Sequence, residues 1–193
     1  MKKDKSKKKE LMDWIIAIAA AIILTWGIRY FLFTPVVVDG ASMMPTLESG
    51  DRVVVNKIGP RLSHYKHFQV VVFEAKDHTN YIKRVIGLPG DHVAYKDDKL
   101  YINGKEYSEP YLEQYKKELG EPGPLTEDFK LEEYTGEAVV PEGHLFVLGD
   151  NRRHSSDSRD PNVGFVSVDK VLGTANVVFW PVQNAGTVNH TNE

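Results

Sequence analysis

Residues 81–91 read Tyr-Ile-Lys-Arg-Val-Ile-Gly-Leu-Pro-Gly-Asp, a pattern typical of a β-strand that ends in a turn. The first six residues alternate between the two faces of a strand, and Pro-Gly-Asp is a turn signal. Lys83 therefore lies on one face, between apolar neighbours, and Arg84 lies on the other. Burial disfavours an ammonium group and lowers its pKa, which suits a lysine that acts as a base. The alternative is a lysine at a sheet edge with its amine in water.

Similar segments recur on both sides of this stretch and predict a β-rich chain. Asn103-Gly104 is a strong hairpin signal, and further turn signals occur at Ser49-Gly50-Asp51, Pro141-Glu142-Gly143 and Gly149-Asp150-Asn151. The spacing favours antiparallel sheets over parallel strands with crossover helices. The predicted strands are 35–39, 52–56, 69–74, 81–86, 93–95, 100–102, 105–107, 137–140, 144–148, 166–168 and 173–180.

Two segments depart from the β pattern. Residues 111–134 are rich in Glu, Lys, Pro and Gly, so we expect an exposed, mobile excursion with a short helix at 112–119. Residues 183–193 form a polar tail. The predicted organisation is a basic N-terminus at 1–12, a transmembrane helix at 13–33 and a β-rich extracytoplasmic domain at 34–182.

The N-terminal segment predicts a membrane anchor. Residues 14–28 are apolar apart from Thr25, and the whole of 13–33 is long enough to cross a bilayer. Six lysines within residues 1–10 precede it, which places the N-terminus in the cytoplasm and the rest outside. A cleaved signal peptide shares this pattern but needs small residues after the apolar run. Residues 30–35 are Tyr-Phe-Leu-Phe-Thr-Pro instead, which favours an uncleaved anchor.

Composition excludes several kinds of protein and site. The chain of 193 residues has a net charge of −3, and because its lysines cluster at the N-terminus the folded part is more acidic still. An acidic body argues against nucleic acid as a partner. The chain has no cysteine, which removes disulfides and thiolate chemistry. No zinc-protease motif or phosphate-binding loop is present, so we expect no metal, nucleotide or other cofactor.

Two further segments carry residues suited to catalysis. Residues 42–47 read Ser-Met-Met-Pro-Thr-Leu, and Ser42 could act as a nucleophile if a base removed its proton. Residues 149–159 read Gly-Asp-Asn-Arg-Arg-His-Ser-Ser-Asp-Ser-Arg, an unusually polar, turn-rich stretch. By themselves these could be a loop serine and a solvated loop. A triad of Ser42, His154 and an aspartate of this stretch also remains open at this point.

Read in order behind the anchor, the three segments resemble those of bacterial type I signal peptidases, which are membrane-bound Ser-Lys endopeptidases. Residues 42–47 match the nucleophile segment of that family, and residues 81–91 match its Lys-Arg-Val-x-Gly-x-Pro-Gly-Asp segment. Residues 149–159 match Gly-Asp-Asn-Arg-x-x-Ser-x-Asp-Ser-Arg. The resemblance extends to about Trp180, and the single anchor is similar to that of the simpler members.

The resemblance implies a role for each matching residue. Ser42 attacks the scissile carbonyl, and Lys83 takes the proton of Ser42 and later protonates the leaving amine. Ser155 hydrogen-bonds the lysine amine, and Met43 lines the substrate groove. Two supporting ion pairs are implied, one between Asp150 and Arg84 and one between Asp157 and Arg159. His154 then has no catalytic role.

The resemblance also implies the substrate and marks one departure. The substrates are precursor proteins with a cleavable signal peptide and small residues at the −1 and −3 positions, met at the bacterial cell membrane beside lipid. Some members carry a hydroxyl residue two positions before the nucleophile, where this chain has Gly40. The oxyanion hole then depends on the backbone N–H of Ser42 and on a donor that the sequence does not identify.

Two other functions are compatible with parts of the sequence. A non-catalytic, membrane-anchored β-rich binding module would leave Lys83 as an ordinary lysine with a pKa near 10.4. A self-cleaving repressor-type protease would share the Ser-Lys chemistry. The anchor and the lack of a DNA-binding segment argue against the second of these.

Overall fold

The computed structural model describes residues 2–31, 33–58, 64–76, 78–118, 120 and 122–188. The side chains of residues 2–9, 28–33 and 114 lie outside this description. The N-terminal lysine run, the end of the predicted anchor and residues 189–193 of the predicted tail therefore fall outside the described side chains.

The first element is a helix, α1 (Lys2–Phe31). Within it, Glu10–Gly27 is long and apolar enough to cross a membrane, and none of this window is buried against the rest of the protein. Large apolar side chains such as Trp14 and Ile23 are more than half exposed on the helix. A long apolar helical window that is not buried by the rest of the protein is typical of a membrane span or a signal sequence.

A large antiparallel sheet forms the main body of the described residues. Its strands follow the order β1-β2-β11-β3-β4-β9-β10, and β12 pairs with β11. The long strand β11 lies between β2 and β3, so the last long segment of the chain joins two early ones. The strands are β1 (Phe33–Val37), β2 (Arg52–Asn56), β3 (Val70–Glu74), β4 (Asn80–Gly87), β9 (His144–Leu148), β10 (Val166–Ser167), β11 (Val171–Trp180) and β12 (Gly186–Thr187).

A smaller antiparallel sheet packs with two short helices against the main body. Its order is β7-β6-β5-β8, and Asn103-Gly104 forms the predicted hairpin turn between β6 and β7. The apolar cluster shared by the two sheets includes Ile86, Phe146 and Tyr95. The elements are β5 (Val93–Lys96), β6 (Lys99–Ile102), β7 (Lys105–Tyr107), α2 (Pro110–Glu118), β8 (Phe129–Lys130) and α3 (Leu131–Thr135).

The prediction of a mostly antiparallel β fold with one N-terminal apolar helix is confirmed, and two details are wrong. Residues 111–134 are not an exposed excursion, because Leu112, Leu125 and Leu131 are buried in the core between the sheets. A few apolar residues anchor this polar segment in the core. The average composition of the segment does not reveal them, because polar residues are in the majority. Residues 137–140 are not a strand. Among them, Val140 alone exchanges backbone hydrogen bonds with a neighbouring segment that the structure describes, the turn at Gly90 and Asp91.

Candidate active site

Ser42 lies in a turn that follows β1. The turn is closed by hydrogen bonds from Met44 N to Ala41 O (3.2 Å) and from Leu47 N to Met43 O (3.0 Å). Met43 and Leu47 are fully buried in the core beside β2 and β11, and they anchor the turn from within. Ser42 is half-buried at the protein surface as a result, with its hydroxyl facing a groove.

Lys83 lies on β4, in the interior of the main sheet, with β3 and β9 on either side. The residue is only 3% exposed, so the edge-strand alternative is excluded. Its Nζ lies 2.8 Å from Ser42 Oγ and 3.0 Å from the carbonyl oxygen of Ile82. The sheet therefore brings together the predicted nucleophile and the predicted base, which are 41 residues apart in the sequence.

The environment of Lys83 favours the neutral amine. Burial lowers the pKa of Lys83 from 10.5 to about 8, although the negative charges of Asp157 and Asp150 oppose this shift. Desolvation exceeds the attraction because neither carboxylate makes an ion pair with the amine among the described residues. A substantial fraction of Lys83 is neutral near pH 8, and a neutral amine can accept the proton of a serine hydroxyl.

Asp150 and Arg84 form the first of the two predicted ion pairs, and both are fully buried. Arg84 donates from Nε to Asp150 Oδ1 (2.8 Å) and from Nη2 to Oδ2 (2.6 Å), while Nη1 donates to the Phe68 carbonyl (2.8 Å). The Thr46 hydroxyl, from the turn of Ser42, also donates to Asp150 (2.5 Å). This bidentate pair ties the nucleophile turn to β4 and to the start of residues 149–159.

Asp157 and Arg159 form the second predicted pair. Arg159 donates to Asp157 from Nε (2.9 Å) and Nη2 (2.8 Å), and the same carboxylate accepts the backbone N–H of Gly149 (3.0 Å). Ser158 accepts the Val147 N–H (2.9 Å). The polar segment 149–159 is thus a folded loop whose ends are held together by charged hydrogen bonds, and the solvated-loop alternative is excluded.

Ser155 departs from the prediction. Its hydroxyl is buried and has no hydrogen-bond partner among the described residues, so the expected bond to Lys83 is absent. The lysine amine is occupied instead by Ser42 Oγ and Ile82 O. Ser155 packs against Gly149, where any Cβ would collide with Ser155 and with the Ser42 carbonyl oxygen.

His154 lies outside this arrangement. Its side chain is exposed, and no hydrogen bond joins it to Ser42 within the described part of the chain. The open possibility of a Ser-His-Asp triad is therefore not supported by the geometry.

A groove of about 530 Å³ runs past the two catalytic candidates. One wall is formed by residues 36–40 at the end of β1, and the other by residues 79–83 at the start of β4. Met43 lines the groove, together with Ser156. Gly40 also lines it, with a φ of +95° and no atom within 4 Å of the position of a Cβ. Two extended walls about a narrow floor suit a peptide in an extended conformation.

Two residues of the loop 149–159, Arg152 and Asn151, make contacts near the site that the sequence did not predict. Arg152 is buried and bonds Glu109, Tyr95 and Tyr111 of the smaller sheet and its helix, as well as the Gly149 carbonyl (3.0 Å). Asn151 contacts the turn that carries Ser42. Only the polar character of residues 149–159 pointed toward them, and it did not specify their partners.

Comparison with known proteins places the chain in one family. Residues 11–180 match the family model described as "Signal peptidase, peptidase S26". The chain is 47% identical to Signal peptidase I of Bacillus caldolyticus over 94% of this chain and 96% of that protein. It is 43% identical to Signal peptidase I S of Bacillus subtilis (strain 168), over 95% of this chain and 97% of that protein.

A solved structure agrees with this assignment. The crystal structure of a signal peptidase I from Enterococcus faecalis V583 is 43% identical, with a TM-score of 0.54. The match covers 58% of this chain and 97% of that one. The family model, the similar relatives and the fold agree, and the chain belongs to the signal peptidase family, peptidase S26.

Proposed function

We propose that this protein is a membrane-bound serine endopeptidase that removes N-terminal signal peptides from precursor proteins, with Ser42 as nucleophile and Lys83 as general base. The observation that carries the proposal is the 2.8 Å contact between a buried amine and a half-buried serine hydroxyl in an open groove. Family membership supports the same reaction.

The reaction proceeds through an acyl-enzyme. Neutral Lys83 takes the proton of Ser42 as its oxygen forms a bond to the scissile carbonyl carbon, and the carbonyl oxygen gains the negative charge. The backbone N–H of Ser42 is directed at that oxyanion. When the C–N bond breaks, the Lys83 ammonium gives its proton to the leaving amine. Lys83 then deprotonates a water molecule that hydrolyses the ester and restores Ser42.

The remaining site residues hold this pair in place. The ion pair between Arg84 and Asp150 connects β4, which carries Lys83, to the turn that carries Ser42. The ion pair between Asp157 and Arg159 holds the loop 149–159 in its folded conformation. Met43 contributes to the floor of the groove. A positioned base is effective because it avoids the entropy of bringing two groups together in the transition state.

Helix α1 anchors the enzyme where its substrates are. The proposed topology is a single span in a bacterial cell membrane, with the lysine-rich N-terminus in the cytoplasm and the β domain outside, beside the lipid surface. The support for the span is the exposed apolar window Glu10–Gly27. A protease added to the outside of intact spheroplasts should then degrade the β domain and spare an epitope tag at the N-terminus.

Cleavage of a secretory precursor tests the catalytic assignment. The detergent-solubilised full chain should cleave the precursor, and Ser42→Ala and Lys83→Ala should each reduce the rate at least about 10³-fold while the protein stays folded. Ser167→Ala and Lys99→Ala serve as matched controls, because these side chains lie away from the groove. Near-normal cleavage by either dyad variant would show that the assignment is wrong.

A further inference from the structure

Asn151 holds the peptide bonds on both sides of Ser42. Its backbone N–H donates to the Ser42 carbonyl oxygen (3.0 Å), and its side-chain Nδ2 donates to the Ala41 carbonyl oxygen (3.1 Å). The residue is 6% exposed, so water does not compete effectively for these groups. One residue from a distant loop therefore restrains the two peptide planes that set the φ and ψ angles of Ser42.

The Ala41 contact controls the direction of the Ser42 N–H. The peptide unit between Ala41 and Ser42 is planar, and its carbonyl and N–H point in opposite directions. Fixing the carbonyl oxygen therefore fixes the N–H on the other side of the plane. That N–H makes no hydrogen bond to another described residue and is available to a ligand in the groove.

Tyr115, on a helix that packs against the smaller sheet, contacts the side chain of Asn151. It lies on α2, one turn from the buried Tyr111 and Leu112, and its hydroxyl lies 3.2 Å from Asn151 Oδ1. The Ala41 carbonyl can only accept a hydrogen bond, so Nδ2 must face it and Oδ1 must face Tyr115. The hydrogen bond that the Tyr115 hydroxyl donates to Asn151 Oδ1 stabilises this orientation of the amide.

We propose that Asn151 is a positioning residue that aims the Ser42 N–H at the oxyanion, and that Tyr115 of α2 orients the Asn151 amide. The proposal rests on the proposed function, in which Ser42 is the nucleophile. It gives residues 110–118 a part in catalysis, although they do not line the groove.

A misdirected N–H weakens the bond to the transition state and leaves ground-state binding of the extended peptide nearly unchanged. The loss should therefore appear in kcat and not in KM. Removing an oxyanion donor outright costs about 10²- to 10³-fold in kcat. Loosening one costs less, so we expect about tenfold or more for Asn151→Ala and about threefold for Tyr115→Phe.

Steady-state cleavage of a precursor by the full chain in detergent tests the proposal. The variants are Asn151→Ala, Asn151→Asp and Tyr115→Phe. Tyr101→Phe is the matched control, because its hydroxyl is exposed and bonds Glu106, away from the groove, and no other residue that the structure describes. Asn151→Asp keeps the shape and the acceptor for Tyr115, but places a carboxylate oxygen against the Ala41 carbonyl. We expect it to lose at least as much kcat as Asn151→Ala, with KM unchanged.

Two further readouts separate positioning from simple stability. Thermal unfolding should show Tyr115→Phe folded like the wild type, so that its loss of kcat is not a loss of folded protein. The pH at which activity rises should be unchanged in Asn151→Ala and Tyr115→Phe, because neither substitution changes the charge around Lys83.

The outcomes are distinct. Activity in Asn151→Asp equal to wild type, a rise in KM in place of a fall in kcat, or a shifted pH profile in Asn151→Ala or Tyr115→Phe would each overturn the proposal. Wild-type kcat in Tyr115→Phe would overturn the part assigned to Tyr115. Retained activity in Ser42→Ala or Lys83→Ala, measured in the same series, would instead overturn the proposed function.

Discussion

At the scale of single residues, Lys83 shows how burial lowers the pKa of an amine. The amine is 3% exposed on an interior strand and meets a carbonyl oxygen and a hydroxyl, with no ion pair from a carboxylate among the described residues. The sequence indicated this environment through its apolar neighbours. It could not show that the strand is interior, because pairing partners are set by distant segments such as β9.

We predict that kcat/KM rises with pH as Lys83 loses its proton. Burial lowers the pKa of Lys83 to about 8, so the neutral, active fraction increases through pH 8 and approaches its limit about one unit higher. Initial rates between pH 6.5 and 9.5 measure this. A rate that does not change between pH 7 and 9 would contradict the assignment of Lys83 as the base.

The same burial predicts that the enzyme is less stable than it could be. The folded pKa of Lys83 lies below its unfolded value, so folding is disfavoured whenever the unfolded chain carries the proton. The cost is about 3 kcal/mol at pH 7 and decreases as pH rises from about 8 to 10.5. Lys83→Met should therefore abolish cleavage and increase the free energy of unfolding by up to about 3 kcal/mol at pH 7.

Urea unfolding of the wild type and Lys83→Met at pH 7 and pH 10 provides the measurement. The difference in free energy of unfolding between the two proteins should be smaller at pH 10. At that pH the folded wild type is neutral at Lys83 and the unfolded chain has begun to lose the same proton. An inactive variant that is less stable than the wild type at both pH values would show that the lysine contributes favourable contacts that outweigh its burial.

At the scale of elements, the active site is a junction between the nucleophile turn, β4 and the loop 149–159. The pairs Asp150–Arg84 and Asp157–Arg159 were predicted from the resemblance, and both contacts are present. Ser155 was predicted from the same resemblance, but its hydroxyl makes no hydrogen bond to Lys83. Charged pairs are easier to anticipate because few other partners satisfy a buried charge, whereas a hydroxyl rotates and its partner depends on small shifts.

We predict that Asp150→Asn is strongly destabilising. The substitution removes the negative charge that pairs with the buried guanidinium of Arg84 through two hydrogen bonds, and breaking a buried ion pair costs about 3 to 5 kcal/mol in other proteins. Urea unfolding monitored by circular dichroism measures the effect. Glu106→Gln is the control, since its partner Lys99 is exposed and its pair should matter far less. Similar stabilities for the two variants would contradict the role of the buried pair.

Helix α2 shows the limit of composition as a guide. The sequence predicted a short helix at 112–119, and the structure has one at Pro110–Glu118. It was expected to be exposed because the segment around it is polar, yet Leu112 is fully buried and Tyr115 reaches Asn151. One face of a short helix is enough to anchor it, and averages over 24 residues hide that face.

At the scale of the whole molecule, the apolar window of α1 does not pack on the β domain. The apolar window of α1 is unburied, and the clusters that form the core contain only residues of the β domain. The β domain presents its own exposed apolar residues at one end of β11, among them Trp180 and Val182. Stability of the fold and delivery to the membrane are therefore properties of different parts of the chain.

We predict that removal of residues 1–31 spares the fold and impairs only reactions at a membrane. The free energy of unfolding should change by less than about 1 kcal/mol, a shift in Tm below about 4 °C in detergent. Trp180 is then the one remaining tryptophan, and its fluorescence reports unfolding. Cleavage of a short soluble peptide should persist, while cleavage of a precursor embedded in vesicles should fall because the shared membrane no longer concentrates the partners.

If the truncation lowers the rate of cleavage equally for the soluble peptide and for the precursor in vesicles, α1 contributes to the active site itself. A large fall in Tm would show instead that the helix supports the fold. Either result would contradict the separation of packing described above.

The order of strands has a consequence for biosynthesis. Ser42 and Lys83 emerge early from the ribosome, but Thr46 bonds Asp150 and Ala41 bonds Asn151, more than 100 residues further along the chain. Strand β11, which ends at Trp180, must arrive before β2 and β3 can be bridged. An incomplete polypeptide therefore carries both reactive groups without a working arrangement of them. The arrangement of Ser42 and Lys83 that we propose as catalytic is therefore completed only after the segments that hold it, residues 149–159 and β11, have been synthesised.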